Sequence, residues 1–316
     1  MTLEADIAQQ AGLFADLQVC TGLQGAIEAV ASHRLVHFAG IGSSRHVAGF
    51  GAACVELIAG LPAVLMASPG AAVARPAIRA GELLVVVSQS GQTPALVELA
   101  GTAKAAGGTV IVMTNTPGSA LSSVAHLVVP CGAGSETVVP ATKSVTVMML
   151  QLRAMCGPID PAARNRLSQL TEHLVTDPLV AALAARHPLP GLVVAGGFAA
   201  EWVADEVAIK LAEVSAHLAV AESVVDFLHG PAAVPAATLA FLDPDDPNTP
   251  AVLARPQVLT VGPDDSYDLT LARTGEPALD AIAAVVAGQV LALEWSRAHG
   301  IDPDDPRGLQ KVTLTR

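Results

Sequence analysis

The chain has 316 residues, which is enough for two medium-sized domains or one large one. Its formal net charge of -12 and its lack of a basic stripe exclude nucleic acid as an expected partner, although a local amide cradle can still bind an anion. Apolar residues make up 52% and aromatic residues 3%, a mixture typical of parallel sheets covered by closely packed helices. The best candidate for a membrane span, Ala281 to Leu293, is short and is interrupted by Gly288 and Gln289, so we expect no membrane segment.

The cysteines and histidines show no metal-binding or disulfide pattern. Cys20, Cys54, Cys131 and Cys156 are far apart and form no CxxC pair, which is typical of reduced core thiols. Apart from the HxxxH spacing of His33 and His37, the nine histidines form no HxH, HxxxH or mixed His/Cys ligand set. The N-terminus has early acidic residues and no basic region, so no signal peptide is predicted. We therefore expect a cytoplasmic protein with no metal and no cofactor.

The first half of the chain predicts a helical extension followed by an α/β domain. Apolar residues at helical spacing, interrupted near Thr21 and Gly22, predict an N-terminal helical extension over residues 1–32 that packs on the outside. Strands and helices then alternate through a domain at 33–157, which a helix at 140–156 closes. The predicted strands are 35–39, 63–67, 83–88, 109–114 and 127–130, and the helices between them are 45–59, 71–79, 94–107 and 118–124. This alternation implies βαβ units and a parallel sheet.

The second half repeats the plan after a connecting helix and linker at 158–190. Asp160 and Pro161 have the residue types of an N-cap and a first helical position, and the second domain covers 191–299. The predicted strands are 192–195, 217–221, 237–242, 257–261 and 267–271, with helices at 200–216 and 277–298. The acidic stretch 243–250 is predicted to be a surface loop, and residues 300–316 form a tail. The fold class is therefore α/β, with two three-layer α/β/α sandwiches of flavodoxin-like type.

The stretch SQSGQT at 88–93 has the pattern of an anion-binding loop. It joins the buried strand to the helix that starts at Pro94. Helix N-terminal N–H groups carry partial positive charge, hydroxyls add donors, and Gly91 lets the backbone approach a ligand. No Lys follows the glycine, so the loop is not a nucleotide P-loop, and we interpret it as a site for the phosphate of a small molecule. The alternative is an ordinary strand–helix turn, and Ser43 and Ser44 either add donors or simply cap a helix.

Other candidate residues are ambiguous when taken alone. Lys210 and Glu213 share a helix face, with Glu206 one heptad before Glu213, and their simplest interpretation is a solvated ion pair. His229 precedes a Gly-Pro turn, and Lys311 lies in the tail. By themselves these two are a structural histidine and a surface lysine.

Five ordered motifs together resemble a known family. They are SQSGQT at 88–93, GSETVVPATK at 134–143, IKLAE at 209–213, LHGP at 228–231 and PRGLQKVTLT at 306–315. The chain resembles sugar isomerase (SIS) domain proteins over nearly its whole length. Within that family it is similar to the isomerase half of glucosamine-6-phosphate synthase, and to stand-alone amino-sugar-phosphate deaminases, fructosamine-6-phosphate deglycases and ketose/aldose isomerases.

The resemblance implies roles for individual residues. The residues implied to bind the sugar phosphate are Ser44, Ser88, Gln89, Ser90, Thr93 and the backbone of Val139. Glu213 is implied to move a proton between C1 and C2, with Lys210 beside it. Lys311 is implied to form a Schiff base with the open-chain ketose. His229 is implied to assist ring opening from the neighbouring subunit, which predicts a homodimer with active sites at the interface.

Departures from the family pattern bear on the substrate more than on the reaction class. Ala141 stands where the family often has Ser, Pro140 stiffens the same loop, and Ala212 replaces a basic residue. Thr2 stands where a glutaminase domain begins with its nucleophilic Cys, so no glutaminase activity is expected. The favoured function is C1/C2 isomerisation coupled to amine release from an amino sugar or fructosamine 6-phosphate. A plain ketose/aldose phosphate isomerase and a non-catalytic sugar-phosphate-binding protein are the alternatives.

Overall fold

The structure is a computed structural model that describes residues 2–17, 21–67, 78–306 and 308–311. The chain divides into two compact units. The first unit consists of Asp16–Glu136, Lys143–Ile159 and Leu309–Arg316. The second unit consists of Met1–Ala15, Thr137–Thr142 and Asp160–Gly308.

Helices and strands alternate along most of the chain, as the sequence predicts. The strands are β1 Val36–Ala39, β2 Ala63–Leu65, β3 Leu83–Val87, β4 Thr109–Thr114, β5 Leu127–Pro130, β6 Leu192–Ala195, β7 Val220–Ser223, β8 Thr238–Phe241, β9 Val258–Gly262 and β10 Leu269–Thr270. The helices are α1 Leu3–Ala15, α2 Thr21–Ser32, α3 Ser43–Leu57, α4 Pro94–Ala105, α5 Ala120–Val124, α6 Lys143–Met155, α7 Pro161–Thr176, α8 Pro178–Arg186, α9 Ala200–Ser215, α10 Val224–Leu228, α11 Thr249–Leu253 and α12 Pro277–Ala298. The helix predicted at 71–79 falls almost wholly outside the described residues.

The first unit contains a five-stranded parallel sheet in the order β2-β1-β3-β4-β5. Every residue of β3 is fully buried, because helices cover both faces of a parallel sheet and leave no solvent-facing row. One face of the sheet packs against α4, where Leu96, Leu99 and Ala103 join Leu84 and Val86 in the core. The continuous apolar run 83–87 is the sequence signature of that burial.

The second unit contains a parallel sheet in the order β10-β9-β8-β6-β7. In both sheets the first strand along the chain lies between the second and the third. The predicted fold class, α/β with two parallel-sheet sandwiches, is therefore confirmed.

Helix α12 is the core helix of the second unit. By length and composition it could cross a membrane, but 89% of its most apolar window is buried in the fold. Buried helices of soluble proteins pass the same test, so this is weak evidence for a membrane span. Gly288 lies where a Cβ would be 2.4 Å from the Val207 side chain, which shows how closely α12 and α9 approach.

The predicted N-terminal extension is two helices in different units. Helix α1 belongs to the second unit, where it packs on α7, and its Leu3, Ile7 and Phe14 are buried. Gln10 Nε2 donates to Gln289 Oε1 on α12 at 2.9 Å. Helix α2 belongs to the first unit and packs on β5 and α6. Each helix buries one apolar face against its own unit and leaves polar residues of its other face exposed.

The linker and the acidic loop also differ in detail from expectation. Asp160 accepts from the N–H of Ala162, which confirms it as the N-cap of α7. The connecting segment is two helices, because Pro178 starts α8 and Asp177 caps it through the N–H of Leu179. The stretch predicted as a loop at 243–250 runs into α11 at Thr249.

Candidate active site

The loop at 88–93 lies at the switch point of the first sheet. Strands β1 and β3 are neighbours, but the chain continues from β1 to β2 on one side and from β3 to β4 on the other. At such a reversal the loops after the two strands separate and leave a crevice where ligands bind. The loops at 40–44 and 88–93 both follow strands at this crevice, so the predicted phosphate site has the position that the topology favours.

The 88–93 loop is folded tightly by its own hydroxyl groups. Ser88 Oγ accepts from the N–H of Gly91 at 3.1 Å, and Ser90 Oγ accepts from the N–H of Gln92 at 3.3 Å. Gly91 has φ 61°, and a Cβ there would be 2.0 Å from Ser119 Oγ, so only glycine fits. The Thr93 side chain makes no capping hydrogen bond to α4, which leaves its hydroxyl available to a ligand.

Residues at the end of β4 and directly after it hold this loop in place through hydrogen bonds. The carbonyl oxygen of Gln89 accepts from Thr114 Oγ1 at 3.2 Å, Thr116 Oγ1 at 3.3 Å and the N–H of Asn115 at 3.1 Å. The segment Asn115-Thr116-Pro117-Gly118 also has the composition of a plain turn. Its hydroxyl-rich composition was the available signal for a supporting role.

The loop after β1 brings Ser44 to the same edge of the sheet. Ser44 is half-buried in the first turn of α3. A Cβ on Gly40 would be 2.1 Å from the Ser44 carbonyl oxygen, so the glycine allows the loop to fold closely onto that turn. Gly42 provides no side-chain cap, so the start of α3 carries N–H groups that no capping side chain covers.

The tail lysine pairs with a buried carboxylate in the first unit. Lys311 Nζ lies 3.2 Å from Glu136 Oε2. Glu136 stands in the 134–143 motif but was not singled out as a site residue. Lys311 is therefore part of an ion pair, and its interpretation as a solvated surface lysine, made from the residue alone, is wrong. Val139 is half-buried in the segment 137–142 of the second unit, and its role stays a prediction.

Helix α9 of the second unit carries a buried lysine between two glutamates. Lys210 Nζ lies 3.5 Å from Glu206 Oε1 and makes a short hydrogen bond to Glu213 Oε2. The side chains of Lys210 and Glu206 are fully buried, whereas that of Glu213 is 19% exposed. The solvated-pair interpretation is wrong, because a buried ammonium requires close anionic partners. The lysine fixes Glu213 while one edge of its carboxylate stays accessible.

His229 is placed at the exposed end of α10 in the second unit. Its backbone N–H caps that helix by donating to Asp226 O, and its side chain is exposed. Within the described part of the chain, no hydrogen bond or ion pair links it to Lys210 or Glu213. On the adjacent β7, burial first and then the charges of Asp226 and Asp205 raise the pKa of Glu222.

In the described residues no group of three His, Cys, Asp or Glu side chains is arranged to hold a metal ion. Cys54 and Cys131 are buried free thiols and Cys156 is a half-buried one, whereas Cys20 lies outside the described residues.

Comparison with solved structures bears on the fold. The structure superimposes on glucosamine-6-phosphate deaminase from Thermotoga maritima with a TM-score of 0.79 and 19% identity, covering 99% of each chain. It superimposes on tagatose-6-phosphate ketose/aldose isomerase from Escherichia coli with a TM-score of 0.80 and 18% identity, covering 97% of this chain and 95% of that one. At these identities the likeness shows the fold alone.

Sequence comparison identifies the family relation more closely. Residues 30–156 match the SIS domain model, so the chain contains a SIS domain. The chain is 28% identical over 319 aligned residues to glutamine–fructose-6-phosphate aminotransferase (isomerizing) of Symbiobacterium thermophilum, covering 88% of this chain and 51% of that protein. It is homologous to the isomerase part of such proteins, and it spans about half the length of the curated relatives that it matches. The predicted family resemblance is confirmed.

Proposed function

We propose that this chain is a phosphosugar-processing enzyme that moves a proton between C1 and C2 and releases an amine from an amino sugar or fructosamine 6-phosphate. The observation that carries the proposal is the partly exposed carboxylate of Glu213, clamped by the buried Lys210. A 1,2 proton shift needs one carboxylate held at a fixed place with an open edge. The homology to an isomerase domain supports the same reaction class.

The phosphate is proposed to bind at the switch point of the first sheet. The hydroxyls of Ser90 and Thr93, with Ser88, Gln89 and the neighbouring Ser44, offer donors to the phosphate oxygens. Anchoring the phosphate away from the reacting carbons reduces the entropic cost of alignment. The tight Gly91 turn fixes these donors before the ligand arrives.

The chemistry is proposed to run on the open-chain sugar. Glu213 takes the proton from C2 of a 2-amino aldose and returns it to C1, which leaves an imine at C2. Water then adds to that imine, releasing ammonia and the ketose phosphate. Lys311 is proposed to form an imine with the ketose carbonyl, because a protonated imine withdraws electrons better than a carbonyl does.

His229 is proposed to open the sugar ring in the site of a second subunit. Its side chain is exposed at the end of α10, next to the edge strand β7. Large apolar residues are exposed on the same part of the second unit, namely Leu218, Val220, Val225 and Val234. Such a patch favours burial by a second copy of the chain, and a homodimer is the proposed state. A cytoplasmic location stays a prediction.

The decisive experiment assays ammonia and isomer formation together on a panel of hexose and hexosamine 6-phosphates. Glu213→Gln is expected to lower turnover by about 10²- to 10⁴-fold while sugar-phosphate binding persists. Glu294→Gln is the matched control, because Glu294 also forms an i,i+3 ion pair on a helix of the second unit and is 18% exposed. Undiminished turnover in Glu213→Gln would contradict the proposal, and added glutamine is expected to yield no ammonia in any variant.

The same assay separates the alternatives. Isomer without ammonia from every hexosamine phosphate identifies a plain ketose/aldose isomerase. Thermal stabilisation by a sugar phosphate without any product identifies a binding protein. The carboxylate of Glu213, held by the buried Lys210, favours the enzyme over the binding protein.

A further inference from the structure

Glu136 is a buried carboxylate fixed at the start of helix α6. Its Oε1 accepts from the backbone N–H of Ser144 at 3.2 Å, and its Oε2 accepts from Ser144 Oγ at 2.6 Å. Ser144 is the second residue of α6, so the carboxylate lies at the positive end of a 13-residue helix. These bonds come from the first unit itself and hold Glu136 independently of the tail.

Lys311 brings its ammonium group to this fixed carboxylate. Its Nζ lies 3.2 Å from Glu136 Oε2, and the two residues are 175 positions apart in sequence. The Glu136 side chain is fully buried, whereas that of Lys311 is 21% exposed. The lysine therefore faces a buried anion on one side and solvent on the other.

The other titratable groups near Glu136 are poor proton acceptors. Burial raises the pKa of the Cys131 thiol to about 12, with a further raising contribution from the Glu136 charge. The Cys131 thiol lies 3.6 Å from the Ser144 carbonyl oxygen, to which it donates. Lys143 opens α6 and is buried beside Ser144, and an ammonium group cannot accept a proton. Among these groups only Glu136 can take a proton from Lys311.

We propose that Glu136 is the positioning residue of Lys311 and the acceptor of its proton when the amine attacks a sugar carbonyl. This inference rests on the proposed imine role of Lys311. The ammonium transfers one proton to the Glu136 carboxylate, and the free amine forms a C–N bond to the carbonyl carbon. The resulting carbinolamine loses water to give the imine. The carboxylate holds the ammonium group in place and takes its proton as the C–N bond forms, so that this proton need not pass directly to bulk water.

The test is reductive trapping with fructose 6-phosphate and cyanoborohydride, with the adduct located at Lys311 by mass spectrometry across a pH series. Glu136→Gln is expected to slow trapping about tenfold at the plateau, because a charged hydrogen bond to the lysine is lost. It is also expected to move the half-maximal pH downward by about one unit, since no anion then favours the protonated amine. A purely structural role for Glu136 would leave that midpoint unchanged.

Three further variants keep the test interpretable. Glu136→Asp retains the charge and is expected to keep the midpoint at the wild-type pH. Ser144→Ala removes one donor that orients Glu136 and is expected to lower the plateau only. Glu82→Gln is the matched control, since this carboxylate of the first unit lies 3.2 Å from His37 Nε2 and should leave trapping unchanged.

The outcomes separate this inference from the proposed function. If wild type traps at Lys311 and Glu136→Gln shows the same rate and midpoint, the inference is overturned and the enzyme proposal stands. If wild type turns over sugar phosphates but never traps, both the imine role and the inference are overturned. Melting curves of each variant identify loss of fold, and Ser144→Ala then carries the test of positioning.

Discussion

The two units share a strand order and differ in the loops that end their central strands. In the first unit the loop after β3 is rich in hydroxyls, whereas in the second unit the equivalent loop after β8 contains three aspartates, Asp243, Asp245 and Asp246. Both loops lie where ligands bind in open α/β sheets. Topology therefore sets where a site can form, and the residues of the loop decide which ligand it accepts.

The second switch point is a small cavity with an acidic rim. The cavity measures about 120 Å³, and it is lined by Gly196, Phe241, Asp243, Arg273 and Asp280 among others. Arg273 Nη2 lies 2.7 Å from Asp243 Oδ1 and 2.8 Å from Asp245 Oδ2, so its charge is already neutralised. We therefore expect phosphate to be repelled there, and the carboxylate that we propose for catalysis in the second unit lies on α9 instead.

The largest expected effect concerns the buried ion pair between Lys210 and Glu206 on α9. Lys210→Ala leaves Glu206 buried without the ammonium that compensates its charge, and we expect a loss of about 3–5 kcal/mol in the free energy of unfolding. Lys104→Ala is the control, because Lys104 is an exposed-surface lysine that donates only to Ala125 O and should change stability by less than about 1 kcal/mol. Urea denaturation measures both. Equal, small losses in the free energy of unfolding for both variants would contradict the conclusion that Lys210 compensates the buried charge of Glu206.

A second prediction concerns the tight turn of the first unit. Gly91→Ala is expected to destabilise the fold and to abolish phosphate binding, because the added Cβ overlaps the Ser119 side chain. Gly118→Ala is matched to it, since Gly118 also has a positive φ but open space around its Cβ position. The control should cost only the left-handed backbone strain of about 1–2 kcal/mol. Denaturation and phosphate titration of both variants provide the comparison.

The third prediction compares the two switch points directly. Ser90→Ala and Thr93→Ala are each expected to weaken sugar-phosphate binding about tenfold, because each removes a hydroxyl donor to a dianion. Arg273→Ala changes the other switch point and should leave binding unchanged. Calorimetric titration with a sugar phosphate measures the affinity of each variant. Weaker binding in Arg273→Ala alone would place the phosphate site in the second unit.

The smallest prediction concerns pH and Glu222. Its raised pKa means that the folded chain holds this proton more tightly than the unfolded chain does. Stability is therefore lost as pH rises through the window above the ordinary glutamate pKa, and the cost is fully present at neutral pH. Glu222→Gln should raise the Tm at pH 7 slightly. The corresponding gain in the free energy of unfolding should be less than about 1 kcal/mol. The gain should vanish well below the ordinary glutamate pKa of about 4.3, where the carboxyl is protonated in the unfolded chain as well.

The parts of the fold that the sequence predicts best are long or continuous apolar segments. Strands β4 and β6 and helix α12 have the predicted bounds, because an element that is buried on all sides has an uninterrupted apolar sequence. The five-residue helices α10 and α11 were missed, since a single turn and a half shows no period. The place of α1 in the second unit was not predicted, because its partners there are distant in sequence.

Site residues likewise fall into two groups, those that a local sequence pattern reveals and those that only the fold brings together. The hydroxyl loop is readable because its donors are contiguous, and Lys210 with Glu213 is readable as a pair. The burial of Lys210 and its contact with Glu206 are tertiary facts that the spacing does not contain. The Glu136–Lys311 pair joins residues 175 positions apart, which no local pattern can reveal.

The central claim is that the first unit binds the phosphate and the second unit transfers the proton. The most direct measurement follows deuterium uptake from solvent into a bound sugar 6-phosphate by NMR, with ligand affinity measured on the same samples. The account predicts that Glu213→Gln binds normally and exchanges at least about 100-fold more slowly, whereas Ser90→Ala binds weakly and exchanges normally once saturated. Normal exchange in Glu213→Gln, or normal binding in Ser90→Ala, would contradict it.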